Sequence, residues 1–209
     1  INRKKERTAT GLDWNNIFDC IHKVRDDLEN VFPYKLVNVY GAEADDIIAT
    51  LVKTVGKHLI LSSDKDFIQL HDLNVDQFSP VTKKLINGKD PKTYLKEHIL
   101  KGDRSDGVPN VLSADDTFVE DKRQKPLRKT VISTIMEAMK DHEVIDLYNL
   151  AKCPKDTWIR NYQRNETLID LGFIPEELKV EINMAYDKAK VGERSQLLNY
   201  FIENRLTQL

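Results

Sequence analysis

The stretch YGAEADDIIATLV (residues 40–52) sets three carboxylates, Glu43, Asp45 and Asp46, within four positions and follows them at once with an apolar run. Ile47, Ile48, Leu51 and Val52 recur at helical spacing, and Gly56 ends the pattern. Residues 44–55 are therefore predicted to form a helix that buries those four side chains. Upstream, LVNVY (36–40) is rich in β-branched and aromatic residues and reads as a strand. Downstream, HLIL (58–61) reads as a second, buried strand. Strand, helix and strand in that order predict two parallel neighbours in one sheet.

That sheet gives the crowded charges a purpose. Glu43, Asp45 and Asp46 follow the carboxyl end of the first predicted strand, and SSDKD (62–66) sets Asp64 and Asp66 after the second. In open α/β sheets this edge is where ligands bind. Asp103 and Asp106, in GDRSDGVPN (102–110), come after the next predicted helix and complete the set. Clustered carboxylates raise one another's pKa unless a positive charge sits among them. Oxygen ligands without cysteine or histidine suit Mg²⁺ or Mn²⁺ rather than zinc. Two such ions about 4 Å apart would serve an in-line phosphoryl displacement. The plainer alternative stands beside it: acidic residues at a helix start complement the helix dipole, and an aspartate after a strand often makes a turn.

Further out, Trp14, Ile17, Phe18, Ile21, Val24, Leu28 and Val31 mark an amphipathic helix over 14–31, ended by Pro33. QFSPVTKKLINGK reads as a hairpin with its turn at Asn87-Gly88. Asp90-Pro91 is a strong helix start, and that helix should run to Lys101. Beyond it the pattern is helical: about 127–141, 143–152, 155–170, 176–190 and 193–206. The expected fold class is α/β, a parallel sheet with flanking helices over residues 1–100. A mostly helical half over 101–209 follows, expected to bind DNA.

Two-fifths hydrophobic and a third charged residues, over a length of 209, make an ordinary globular mix. No apolar run approaches the roughly 20 residues of a membrane span, and no signal peptide is recognisable, so a cytoplasmic protein is expected. Cys20 and Cys153 match no metal spacing and read as reduced thiols. The net charge of −2 hides two basic islands, NRKKER (2–7) and KRQKPLRK (122–129). Arg3, Lys4, Lys5 and Arg7 in the first, and Lys122, Arg123, Lys125, Arg128 and Lys129 in the second, are candidate phosphate contacts or simply solvated charge. The five histidines are scattered and read as structural or surface residues; Trp14 and Trp158 read as core.

EADD (43–46), SSDKDF (62–67) and GDRSDGVP (102–109) together resemble, in order and spacing, the three carboxylate motifs of the 5′ nuclease, or flap endonuclease, family. WNNIFDCIHKV, SSDKDFIQLH and LIDLGFIPEEL resemble the branch formed by the ribonucleases H of T-even phages. The resemblance implies a PIN-like nuclease core. It also implies Mg²⁺-dependent hydrolysis of phosphodiesters near 5′ ends of DNA and RNA·DNA duplexes and at 5′ flaps, as in primer removal during phage DNA replication. Glu43 and Asp45 resemble ligands of the first metal and Asp46 the adjacent family carboxylate. Asp64 and Asp66 resemble shared or second-metal ligands, and Asp103 and Asp106 those reaching the second site. NRKKER corresponds to the family's helical arch. A single-strand-binding protein and a sliding clamp are the partners implied, in the cytoplasm of a host cell.

The chain departs from the family in two ways. It begins at Ile1, too late to include two upstream metal-binding aspartates, and so reads as a piece of something longer whose first metal site is incomplete. After GDRSDGVP it continues NVLSADDTFVEDKRQKP in place of a glycine-rich turn, so no K⁺ site is expected. Two other readings stay open. One is a PIN-type ribonuclease, against which the long helical half argues. The other is a DNA-binding remnant that lacks catalysis.

Overall fold

A computed structural model describes residues 11–54, 56–88, 90–140 and 146–206. They fall into two compact units, residues 43–179 and residues 1–42 with 180–209. Among the described residues no helix is long and apolar enough to cross a membrane.

The larger unit begins with α2 (Ala44–Leu51), α1 (Trp14–Asn30) belonging to the other. Glu43 caps α2 in a capping box: its side chain faces the Asp46 backbone, and its own N–H donates to Asp46 Oδ2 at 2.9 Å. Strand β1 (His58–Leu61) follows, then a 3₁₀ turn (Asp66–Leu70), β2 (Val75–Ser79) and β3 (Lys84–Leu85). The sheet order is β1-β2-β3, parallel between β1 and β2 and antiparallel between β2 and β3. Ala49, Val52, Ile60, Phe67, Leu70, Val75 and Ile174 form the core between α2, this mixed sheet and the 3₁₀ turn.

Three strand-level expectations are corrected. LVNVY runs without strand pairing among the described residues, because β-branched side chains make a strand only where a neighbour offers a ladder. The parallel pair is instead β1 with β2, in register from His58↔Val75 to Leu61↔Phe78. The hairpin turns at 80–83, not at Asn87-Gly88: Phe78 pairs with Leu85, Lys83 adopts φ +54°, and Ser79 Oγ accepts from Thr82 N at 3.1 Å. A short polar side chain at the strand end thus outcompetes the Asn-Gly signal.

Helix α3 (Pro91–Lys101) starts where Asp90 accepts from Thr93 N at 2.7 Å and Pro91 takes the first position. It is followed by α4 (Lys129–Lys140), α5 (Tyr148–Ala151) and α6 (Lys155–Ile169). Leu100, Val111, Leu112, Val131, Ile132, Ile135, Leu147 and Trp158 form a second core among them. Ile99 of α3 packs with Val108 and Ile169.

Helix α6 also fixes an irregular segment by polar means. Asn165, wholly buried, donates to the carbonyls of Ile99 (2.8 Å) and Pro109 (2.9 Å). Asn161, one turn earlier, donates to Val111 O (2.9 Å) and Ser113 O (3.0 Å). Loop carbonyls that sheet or helix would otherwise satisfy are thereby paired. Asn110 closes the same loop on itself, its Oδ1 accepting from Leu112 N and Ser113 Oγ, each at 3.0 Å.

The other unit holds α1, α8 (Leu197–Glu203) and residues 180–188 of α7 (Glu176–Lys188). Asp13 caps α1 through Asn15 N and Asn16 N. Tyr200 of α8 donates to Asp27 of α1 at 2.8 Å and meets Phe32 edge-on at 5.2 Å.

Asn165→Ala is expected to destabilise the protein by about 1–3 kcal/mol, because Ile99 O loses this donor and Pro109 O is left with Arg164 alone. Urea unfolding followed by circular dichroism measures this. A change within about 0.5 kcal/mol would mean that water takes over the Ile99 carbonyl.

Candidate metal centre and nucleic-acid groove

Two loops and one helix of the larger unit present the acidic residues. The first loop is SSDKD, after β1. Gln77 of β2, wholly buried, clamps it from below: its amide donates to Ser62 O at 2.9 Å and Asp64 O at 2.5 Å. With both amide hydrogens used, Gln77 Oε1 accepts from His71 Nε2 at 2.9 Å. Ser63 and Ser79 join their hydroxyls at 2.7 Å, a second tie between loop and strand. Asp64 Oδ1 in turn accepts from Asp66 N at 3.1 Å.

The second loop follows α3. Gly102 takes φ +67°, and a Cβ there would overlap Val108 O and stand 2.7 Å from Pro109 C. Only glycine fits that close approach. It sets Asp103 against Val108, whose N–H donates to Asp103 O at 2.7 Å. Asp103 Oδ1 accepts from Ser105 N (2.7 Å), Ser105 Oγ (2.5 Å) and Asp106 N (3.4 Å). Burial alone would raise this carboxyl, but those hydrogen bonds, with that of His98, hold it below the ordinary range.

Between the loops the carboxylates form one connected field. Asp45 lies within electrostatic range of Asp64, Glu43, Asp46 and Asp106, and its pKa is raised by burial first and then by those four. Asp66 is pushed up to about 6, by burial first, then by Asp64, Asp103 and Asp45, against an opposing pull from His98. One oxygen each of Asp45, Asp64 and Asp66 lie within 4.8 Å of one another, close enough to share an ion. Tyr94 of α3 stands beside them, its phenol raised to about 12 by burial and by Asp66, Asp64 and Asp103.

Histidine 98 is the residue that sequence reading missed. It projects from α3 into the cluster, 13 % exposed, with Nδ1 3.3 Å from Asp66 Oδ1 and Nε2 3.3 Å from Asp103 Oδ2. The Nε2 contact is a hydrogen bond; Nδ1 is buried and makes none. One donor atom each of Asp66, His98 and Asp103 also lie within 4.8 Å of one another. A buried nitrogen without a hydrogen bond, 3.3 Å from a carboxyl raised by burial and by its acidic neighbours, belongs to a donor set that a divalent cation fits. The signal in the sequence was slight: His98 precedes Asp103 by five residues, and only the break at Gly102 turns the two side chains together.

The basic residues divide by position. Arg3, Lys4, Lys5 and Arg7 lie outside the described residues. Lys122, Arg123, Lys125, Arg128 and Lys129 are all exposed. The first three line a groove of about 590 Å³ with Lys101, Arg104 and Phe118. Lys101 and Arg104 flank the Gly102–Asp103 turn, so the groove begins beside the acidic field. Sequence reading passed over both.

Because the folded pKa of Asp66 lies above its unfolded value near 3.8, this group stabilises the metal-free protein fully below about pH 4. That contribution is lost as pH rises through about 6. In EDTA the melting temperature should therefore fall over that window, and Asp66→Asn should flatten the fall. Mg²⁺ should raise the melting temperature more at pH 7 than at pH 5, since proton and cation compete for the same oxygen. Equal Mg²⁺ effects at both pH values would contradict this.

Two family models match the chain: the N-terminal resolvase-like domain of 5′-3′ exonucleases over residues 2–99, and the C-terminal domain of T4 RNase H over residues 90–209. A ribonuclease H of Enterobacteria phage T4 is 33% identical over 218 positions, covering 100% of this chain and 69% of that protein. A 5′-3′ exonuclease of Buchnera aphidicola is 35% identical across 37% of this chain, and the match spans 31% of its own length. The flap endonuclease Xni of Shewanella oneidensis is 31% identical across 42% of this chain and 38% of its own length. Matched end to end by these nuclease models, the chain belongs to the 5′-3′ exonuclease family, in the branch of the phage T4 ribonuclease H.

Proposed function

We propose that this chain is the nuclease part of a Mg²⁺-dependent, structure-selective 5′ nuclease. Its substrates are DNA and RNA·DNA duplexes with 5′ ends or flaps, as in primer removal. The observation that carries this reading is the single field of Asp45, Asp64 and Asp66, with Glu43, Asp46, Asp103 and Asp106 in electrostatic range. Asp45, Asp64 and Asp66 are the residues to hold Mg²⁺ or Mn²⁺, and Asp106 and Glu43 reach toward it through Asp45. A bound pair of divalent ions supplies an activated water and stabilises the leaving oxygen. Gln77 and Gly102 keep the acidic loops from relaxing apart, so the field is set before substrate arrives.

Lys122, Arg123, Lys125, Arg128 and Lys129, with Lys101 and Arg104, are the duplex contacts in this reading. They neutralise phosphates and set register without reading sequence. Arg3, Lys4, Lys5 and Arg7 extend the same role to the 5′ strand. Single-strand-binding protein and sliding clamp are the partners proposed, in the host cytoplasm.

Asp66→Asn is expected to lower cleavage of a 5′-labelled flap by at least about a hundredfold while leaving DNA affinity equal or higher. Single-turnover assays beside binding measurements test this, and an unchanged rate would sink the assignment. Lys125→Ala with Arg128→Ala should weaken duplex binding and reduce the salt slope of log Kd by about 2, with the single-turnover rate at saturation unchanged. A slower chemical step instead would put these residues in the reaction.

A further inference from the structure

We infer that His98 is a nitrogen ligand of the metal centre, presented through Nδ1 beside Asp66 and oriented by Asp103, and that it biases the centre toward Mn²⁺ over Mg²⁺. The inference rests on the metal-centre reading above and refines it.

The argument starts from the two contacts of one imidazole. Asp103 Oδ1 is taken by Ser105 N and Asp106 N, which leaves its Oδ2 to face His98 Nε2 at 3.3 Å. That oxygen is therefore the acceptor, and the hydrogen sits on His98 Nε2. In the neutral ring that choice leaves the lone pair on Nδ1. A histidine whose far nitrogen donates to a carboxylate, with its near nitrogen free, is the usual arrangement around bound metal.

Nδ1 then points toward the acidic field. It stands 3.3 Å from Asp66 Oδ1, yet no hydrogen bond forms, so the oxygen lies off the axis of the ring nitrogen. A pair of donors sharing one octahedral ion has this relation. They stand about 3 Å apart, and each lies roughly 45° off the other's bond to the ion. A structural histidine would hydrogen-bond through both nitrogens; this one leaves Nδ1 buried without a hydrogen bond beside Asp66.

Chemistry decides the metal. Mg²⁺ prefers oxygen donors and keeps its water, whereas imidazole suits later divalent ions, and Mn²⁺ accepts both kinds. An acidic centre with one imidazole therefore gains Mn²⁺ affinity that an all-carboxylate centre lacks. Asp103 becomes a positioning residue in this arrangement, with both oxygens already engaged by Ser105, Asp106 and His98.

The test is pulsed EPR on the full chain loaded with Mn²⁺, reading the modulation from ¹⁴N bound to the ion. The unsubstituted protein should show it, and His98→Leu should not. Growth on ¹⁵N-histidine should convert the signal to ¹⁵N, which needs no variant and so survives a folding defect. By calorimetry, His98→Leu should lower Mn²⁺ affinity about tenfold and Mg²⁺ affinity less than about threefold. Bound Mn²⁺ without histidine nitrogen coupling would overturn the inference and leave the metal centre standing. No Mn²⁺ binding at all would overturn both.

Discussion

Like-charge repulsion among carboxylates is the constraint around which the larger unit is built. Left to themselves, Asp45, Asp64 and Asp66 would separate into water. A buried glutamine amide fixes the loop of Asp64 and Asp66, helix α2 carries Asp45, and a glycine pressed against backbone brings Asp103 to the same field. Burial first, and then this repulsion, raises the pKa values of Asp45 and Asp66. Holding them close requires the supporting elements to be stiffer than the field they oppose. That explains why polar side chains as well buried as Gln77, Asn161 and Asn165 are spent on backbone carbonyls near the site.

The mixed sheet follows from the same demand. Three strands are few, and β3 is two residues long. Yet β2 contributes Gln77 and Ser79 on its buried face, both aimed at the loop leaving β1. Parallel pairing puts the ends of β1 and β2 side by side, so a side chain near the end of one strand reaches the loop beyond the other. Helix α3 closes the arrangement by bringing Tyr94 and His98 to the same edge.

What the sequence revealed and what it hid divide along physical lines. The carboxylates were legible because charge placed at predicted strand ends and helix starts is a local pattern. Asp90-Pro91 and the long helices were legible for the same reason. LVNVY misled because its composition suits a strand, while pairing depends on a neighbour that composition does not encode. The hairpin misled because Ser79, a strand-end hydroxyl, fixed the turn earlier than Asn87-Gly88 would have. His98 stayed hidden because Asp66 is 32 residues away in the chain (98 − 66) and meets it only through folding. Lys101 and Arg104 were passed over because each stands alone, outside any basic run.

The two tryptophans fall one to each unit: Trp14 half-buried on α1, Trp158 at 4% exposure in the core beside α4. Indole emission from the first reports on a partly wet helix face, and that from the second on a dry interior. Removing either leaves a fluorophore confined to one unit. The chain thus carries its own pair of optical labels for asking whether its two halves melt as one cooperative body or in succession.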